Sequence, residues 1–425
     1  MDQRAKRRRN LLQNIAIILL SASAVLLFVQ TQLYNLRSNT GYLSGLLSSS
    51  SVQKVQSVSG LTDLAMPVRV AVTGAYGRWA DLSLTTASED FAQPGNLLME
   101  ALGSAGTVKD CSVDDFRSAL RVDADYGGSV YYDFDGALPL PLLAGLVGAE
   151  WNGGDLSARR VLLQAEERTA RLFVWDGGSA CYVCPTALTA DSLKEMVADY
   201  QLGSAWFAFD QPENYSHVAP FSLFSDQFDP PPDLSVSSAI TDSSAVLEAL
   251  SFNPHTNFRY AESPGAEVVV EGDRTLGIRS DGEVSYQGSS GTLHIASDGE
   301  TPTETETVVG VYQLLSELLP TQSGAGLYLQ DFQSSGSSTT LRFGYQYNGL
   351  PIRFTDGGAA AEITLEGSAI TRLSVRVRQY IAGGSAGMLL PLTQALSIAR
   401  SYPGKELAVY YVDNGNTAAV QWLAE

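Results

Sequence analysis

The feature that most constrains this chain is its N-terminus, where a cluster of cations runs straight into an apolar stretch. Arg4, Lys6, Arg7, Arg8 and Arg9 face a single nearby acid, Asp2. From Ile15 to Val29 the chain is apolar, and Leu11 and Leu12 extend the run across Gln13 and Asn14. A helix needs roughly 20 residues at about 1.5 Å each to cross a bilayer core, and Leu11 to Leu33 supplies that length. Lys and Arg resist translocation, so the cationic end stays in the cytoplasm and the rest is exported. Ala22-Ser23-Ala24 has the small-residue look of a cleavage site, yet Val25 to Val29 continues the apolar run past it. The expectation is an uncleaved anchor: residues 1–10 a cytoplasmic tail and 11–34 a transmembrane helix. Ser21, Ala22, Ser23 and Ala24 then form a small-residue patch where a second helix is able to approach closely.

Charge sharpens this topology. The chain carries 27 basic and 46 acidic residues, a formal net charge of −19. Without the tail's five bases and one acid, 22 bases face 45 acids, so the part expected outside the cytosol carries about −23. Such a field favours solubility and works against nucleic acid or anionic lipid headgroups as partners. At 425 residues the chain exceeds the about 250 at which single cores stop growing, so several domains are expected.

Patterning divides the exported part. Residues 35–64 read as a Ser- and Gly-rich stalk. Residues 65–220 read as an α/β domain, beginning with the alternating strand Val68 to Val72. It continues through helices over Gly95 to Leu102 and Val113 to Leu120, the latter capped by Ser112. A strand covers Ser129 to Phe134. A hairpin turns at Asp176-Gly177-Gly178-Ser179, and a helix starts at Asp191. Residues 221–300 and 301–425 each read as a helix followed by antiparallel strands. In the first, the helix Ser243 to Leu250 precedes strands near 267–270, 275–278 and 283–286. In the second, the helix Thr305 to Leu319 precedes strands at 327–332, 340–347, 361–366 and 372–380. A last helix, Pro391 to Ser401, leads to a hairpin turning at Asp413-Asn414-Gly415-Asn416. Strands in runs with helices set apart argue an α+β architecture of antiparallel sheets with helices packed on them.

A family resemblance rests on particular stretches. These are Ala249-Leu250-Ser251-Phe252-Asn253-Pro254, Arg259-Tyr260, Val268-Val269-Val270-Glu271-Gly272-Asp273-Arg274-Thr275-Leu276 and Asp281-Gly282-Glu283-Val284-Ser285-Tyr286. Together they resemble the middle of YycH proteins, extracytoplasmic regulators of the sensor histidine kinase of a WalK/WalR-type two-component system that controls cell-wall metabolism. Tyr345-Gln346-Tyr347-Asn348-Gly349-Leu350-Pro351-Ile352 is similar to a strand shared by YycH and its companion YycI. The order of parts also matches: basic tail, one membrane helix, α/β domain, two related modules. The resemblance implies a non-enzymatic regulator that contacts a sensor kinase through its membrane helix and outer domains, beside a YycI-like companion.

The residues themselves keep a second class open, an anchored envelope enzyme, with a thiol oxidoreductase using Cys181 and Cys184 as its leading form. A redox C-x-x-C wants its first Cys at a helix N-terminus. Here both lie on the return strand of a hairpin, where residues three apart point to opposite faces. Cys111 leaves the thiol count odd, so no disulfide framework is implied. Gly383-Gly384-Ser385-Ala386-Gly387 fits G-x-S-x-G, but that mechanism needs a later His, and His217, His255 and His294 all precede it. No zinc, calcium or phosphate-loop spacing is present, so no catalytic, cofactor or metal residues are assigned.

Overall fold

The computed structural model describes residues 61–85, 88–121, 127–255, 258–289, 293–296, 301–384 and 387–425. The expected cytoplasmic tail, the expected transmembrane helix at 11–34, most of the expected stalk and Ser385 lie outside them. Among the described residues no helix is long and apolar enough to cross a membrane. The fold is α+β with mostly antiparallel sheets.

The chain opens with α1 (Leu61–Leu64), then the hairpin β1 (Arg69–Gly74) and β2 (Gly77–Asp81). Next come α2 (Glu89–Gly103), β3 (Lys109–Asp110), α3 (Val113–Ala119), β4 (Ser129–Pro139) and α4 (Leu140–Leu146). Strands β5 (Ser157–Ala165), β6 (Thr169–Trp175) and β7 (Cys181–Thr189) and helix α5 (Ala190–Ala198) complete this part. Its seven strands form one antiparallel sheet in the order β2-β1-β4-β5-β6-β7-β3. Both faces are buried, because alternate residues feed two cores. Along β4, Val130, Tyr132 and Phe134 enter the main core, while Tyr131 between them enters a smaller aromatic one with Phe116, Phe173, Trp175 and Phe221.

Local chemistry explains the boundaries. Ser112 caps α3 by accepting from the Asp115 amide, and the Asp115 carboxylate accepts from the Ser112 amide in return. At the β6–β7 turn, Asp176 accepts from the amides of Gly178 and Ala180 at 2.7 and 3.2 Å, and Gly177 takes a φ of 88°. The segment after α5 folds over the aromatic core as β8 (Ala205–Phe207), α6 (Pro212–Tyr215) and β9 (Leu223–Ser225). Buried Arg78 ties it down. That side chain donates to Thr73 Oγ1 at 2.9 Å and to the Leu120 carbonyl at 2.6 Å, pairs with Asp210, and lies over the Phe207 ring.

The remaining chain builds one larger sheet. Its first strands are β10 (Leu234–Ser238), β11 (Arg259–Ser263), β12 (Ala266–Glu271), β13 (Arg274–Arg279) and β14 (Glu283–Gln287), with α7 (Ser243–Ala249) after β10. Helix α8 (Glu304–Leu318) precedes β15 (Ala325–Ser335), β16 (Ser338–Tyr347), β17 (Leu350–Phe354), β18 (Ala361–Glu366), β19 (Ala369–Arg376) and β20 (Arg378–Ala382). Helix α9 (Leu392–Ala399) leads to the closing hairpin β21 (Leu407–Asp413) and β22 (Thr417–Ala424). The order is β11-β12-β13-β14-β19-β18-β16-β17-β21-β22-β10-β20, with β15 also on β16. Segments 221–300 and 301–425 therefore share a single sheet, joined where β14 pairs β19 (Val284 opposite Val375) and where β10 pairs β20 and β22. The strand expected over 372–380 is two strands, broken at Val377, whose amide donates to the Gly282 carbonyl. One pair, β17 with β21, is parallel.

The two sheets meet along β4 and β15. Gly136 of β4 lies so close to β15 that a Cβ built there would sit 1.7 Å from the Gln330 carbonyl oxygen. Helix α1 packs against β15 and α4, and α8 against α4 and α7. The main core runs unbroken from Leu64 and Met66 through the first sheet to Val308, Phe343 and Tyr411 of the second.

Candidate functional site

The largest concentration of buried charge lies at this junction. Arg69 begins β1, Asp133 and Asp135 belong to β4, and Arg159 and Arg160 belong to β5. From the second sheet come Arg353 of β17, Tyr328 of β15, Tyr410 of β21, and Glu406 just before β21. The terminal residue Glu425 completes the group.

The geometry is a chain of forked ion pairs. Arg69 Nη1 is 3.0 Å from Asp133 and 3.4 Å from Glu406, and its Nη2 donates to Tyr410 Oη at 2.8 Å. Glu406 also takes Arg159 at 2.6 Å and Arg160 at 2.5 Å. Around Asp135, Arg353 donates at 2.6 Å and Tyr328 Oη at 2.9 Å, while Arg353 reaches Glu425 at 2.9 Å. The Arg353 guanidinium lies 4.2 Å over the Tyr410 ring, a cation–π contact that links the two halves of the cluster. Four arginines thus face four carboxylates, and the side chains of Arg69, Asp133, Asp135 and Arg160 are all buried.

Burial alone would raise both aspartates, since it penalises the charged form. The surrounding guanidinium groups overcome it. Arg160, Arg159 and Arg69 hold the Asp133 carboxyl below its ordinary value, and Arg353 with Arg69 brings Asp135 down to about 2. These carboxylates are consequently ionised and fully engaged, which suits them to fixing geometry rather than to passing protons.

The residues singled out from the sequence sit elsewhere. Arg4, Lys6, Arg7, Arg8, Arg9, Ser21, Ala22, Ser23 and Ala24 all precede the described residues. Cys181 and Cys184 point to opposite faces of β7. Cys181 enters the aromatic core and Cys184 the main core, its Sγ directed at the Leu172 carbonyl 3.8 Å away. Burial pushes both thiols up, Cys184 to about 11, so neither resembles an activated thiolate. Cys181 instead meets Cys111, their sulfurs 2.8 Å apart. His217 bonds the Leu396 carbonyl at 2.9 Å and His294 bonds Ser368 Oγ at 3.2 Å. Among the described residues no group of His, Cys, Asp or Glu is arranged to hold a metal ion.

Sequence reading missed the charge cluster, although a signal was present. Arg69 interrupts Val68 to Val72, Asp133 and Asp135 flank Phe134, and Arg353 lies between Ile352 and Phe354. A charge inside a strand whose neighbours are all apolar needs a buried partner. Comparison of the chain with protein-family models, with curated proteins and with solved structures finds no match.

Proposed function

We propose that this chain is a non-enzymatic, membrane-anchored regulator of a sensor histidine kinase that controls cell-wall metabolism. Its folded body lies outside the cytosol, and its contacts run through the transmembrane helix and the outer domains, beside a YycI-like companion.

The observation that carries this reading is how the chain joins its body. Leu64, Ala65 and Met66 are between 1 and 5% exposed in the main core, and Arg69 follows directly into the charge cluster. The segment arriving from the N-terminal side is therefore built into the joint between the sheets. A force exerted on this segment therefore bears on both sheets together. Surface chemistry agrees with partner contact. Met388, Leu390, Ile398 and Tyr402 are exposed apolar residues on and around α9, and Phe258 and Tyr260 are exposed at edge strand β11. Exposed large apolar groups of this kind mark interaction surfaces when they cluster.

The test is photo-crosslinking in intact cells from Ser21, Ala22, Ser23 and Ala24, with deletion of the gene in parallel. Recovery of a sensor kinase, together with altered output of its regulon, is expected. Crosslinks that contain no kinase, with regulon output unchanged on deletion, would refute the proposal.

A further inference from the structure

The odd thiol count resolves into a pair and a singleton. Strand β3 pairs antiparallel with β7, Lys109 opposite Val183 and Asp110 opposite Tyr182. One further step of that register sets Cys111 opposite Cys181, and the Cys111 amide donates to the Cys181 carbonyl at 2.9 Å. Directly opposed residues in such a ladder have Cα atoms roughly 4.5–5.5 Å apart, inside the about 4.4–6.8 Å range that a disulfide spans. The two sulfurs are 2.8 Å apart with nothing between them. Cys184 faces the other way, into the main core, and reaches neither.

We infer that Cys111 and Cys181 form a disulfide in the mature protein, leaving Cys184 as the single reduced thiol. The oxidant is a disulfide of the exported compartment, either a protein donor or a low-molecular-weight one. This compartment is the one element taken from the function proposed above. Cys111, half-buried where Cys181 is buried, is the thiol that such a donor reaches first. Its thiolate attacks one donor sulfur to give a mixed disulfide and release the first donor thiol. The Cys181 thiolate then attacks the Cys111 sulfur and releases the second. Two electrons and two protons pass to the donor, which leaves as two thiols.

The bond has a structural use. Strand β3 is two residues long, both exposed, and gains little of its own from pairing. Yet it leads into α3, whose Phe116 is fully buried among Tyr131, Phe173, Trp175 and Phe221. Closing a loop across 70 positions pins that helix over the aromatic core and removes much of the unfolded chain's freedom. Burial, with Asp115 and Asp110 close by, raises the Cys111 thiol, which makes it a poor leaving group and slows exchange of the formed bond.

The experiment is oxidation of the reduced, detergent-solubilised full chain in a glutathione redox buffer, with free thiols counted by maleimide mass shift after denaturation and the linkage mapped by peptide mass spectrometry. One free thiol, a Cys111–Cys181 linkage, and the same linkage in Cys184→Ser are expected. Reduction, or Cys111→Ser, should lower the thermal midpoint by about 5–10 °C. Three free thiols at equilibrium, or a linkage through Cys184, overturns the inference. Protease accessibility of the chain in intact cells tests the exported location separately, so a failure of topology is distinguishable from a failure of the bond.

Discussion

Glu406 is the most connected carboxylate at the sheet junction, and replacing it with Gln tests whether the charge cluster holds the two sheets together. The residue is 8% exposed and takes Arg160, Arg159 and Arg69 at 2.5, 2.6 and 3.4 Å. Glu406→Gln keeps the shape and removes the charge, leaving four guanidinium groups against three carboxylates. An ion pair about 4 Å apart is worth about 4 kcal/mol at an effective dielectric of 20. Relief of its repulsion with Asp133 and the desolvation cost avoided by an uncharged side chain offset part of that. Breaking one member of a buried pair costs about 3–5 kcal/mol by measurement, and that range is the expectation here. The assay is urea unfolding of the solubilised chain followed by tryptophan fluorescence and far-UV circular dichroism. Trp79, Trp151, Trp175 and Trp206 lie in the N-terminal part, with only Trp422 on the second sheet, so fluorescence chiefly reports the first. Coincident midpoints in the parent and separated, lowered midpoints in the variant are expected. The control is Glu362→Gln, whose pair with Arg342 is about half exposed and should matter by less than about 1 kcal/mol. A loss for Glu406→Gln no larger than the control would refute the reasoning.

Other predictions follow from the same geometry. Asp135 has its carboxyl held at about 2 against an ordinary 3.8, so between those values the unfolded chain binds the proton more readily. Its contribution is present above about pH 4 and is lost as pH falls through 2; stepped-pH urea titrations should show about 2–3 kcal/mol of acid-labile stability that Asp135→Asn lacks. Gly136→Ala forces a methyl onto the Gln330 carbonyl and should cost about 1–3 kcal/mol or more, with faster amide exchange along β15; unchanged exchange there would contradict the close approach. Ser112→Ala removes the α3 cap and should cost about 1 kcal/mol, with faster exchange in α3 and none at the charge cluster.

Much of this fold was legible because turns and caps act locally. Asp176-Gly177-Gly178, Asp413-Asn414-Gly415 and Ser112 each announce their element through a side chain that bonds its own neighbouring backbone. Strand β10, Leu-Ser-Val-Ser-Ser, gave no comparable signal, since its short polar sequence becomes a strand only between β20 and β22. The union of segments 221–300 and 301–425 was hidden for the same reason. Alternation shows that a strand has a buried face, but not that β14 pairs with β19 almost a hundred residues on. The charged site was half legible. Buried arginines and aspartates were visible as interruptions of apolar strands, whereas their partners were not, since Arg69 and Glu406 are 337 positions apart. For the cysteines, strand geometry separated Cys181 from Cys184 correctly. It offered no route to Cys111, because β3 is a pair of exposed residues without an apolar pattern.

The cluster's position bears on how the proposed regulator would act. Apolar packing of equal volume would hold two sheets together at least as well, because desolvating charges offsets much of their attraction. What ion pairs add is direction. The Glu406 carboxylate is within reach of Arg69, Arg159 and Arg160 in one arrangement, and sliding β21 along β5 would strand at least one buried charge. An apolar seam tolerates small slips; this one does not. Arg69, which pairs with Asp133 in its own sheet and reaches across the junction to Glu406, lies five residues after Leu64. On the proposed reading, the chain arriving from the membrane is thereby fixed to a place where neither sheet moves without the other. Weakening Glu406 should therefore impair signalling even where both sheets stay folded, an outcome that separates loss of the joint from loss of the fold.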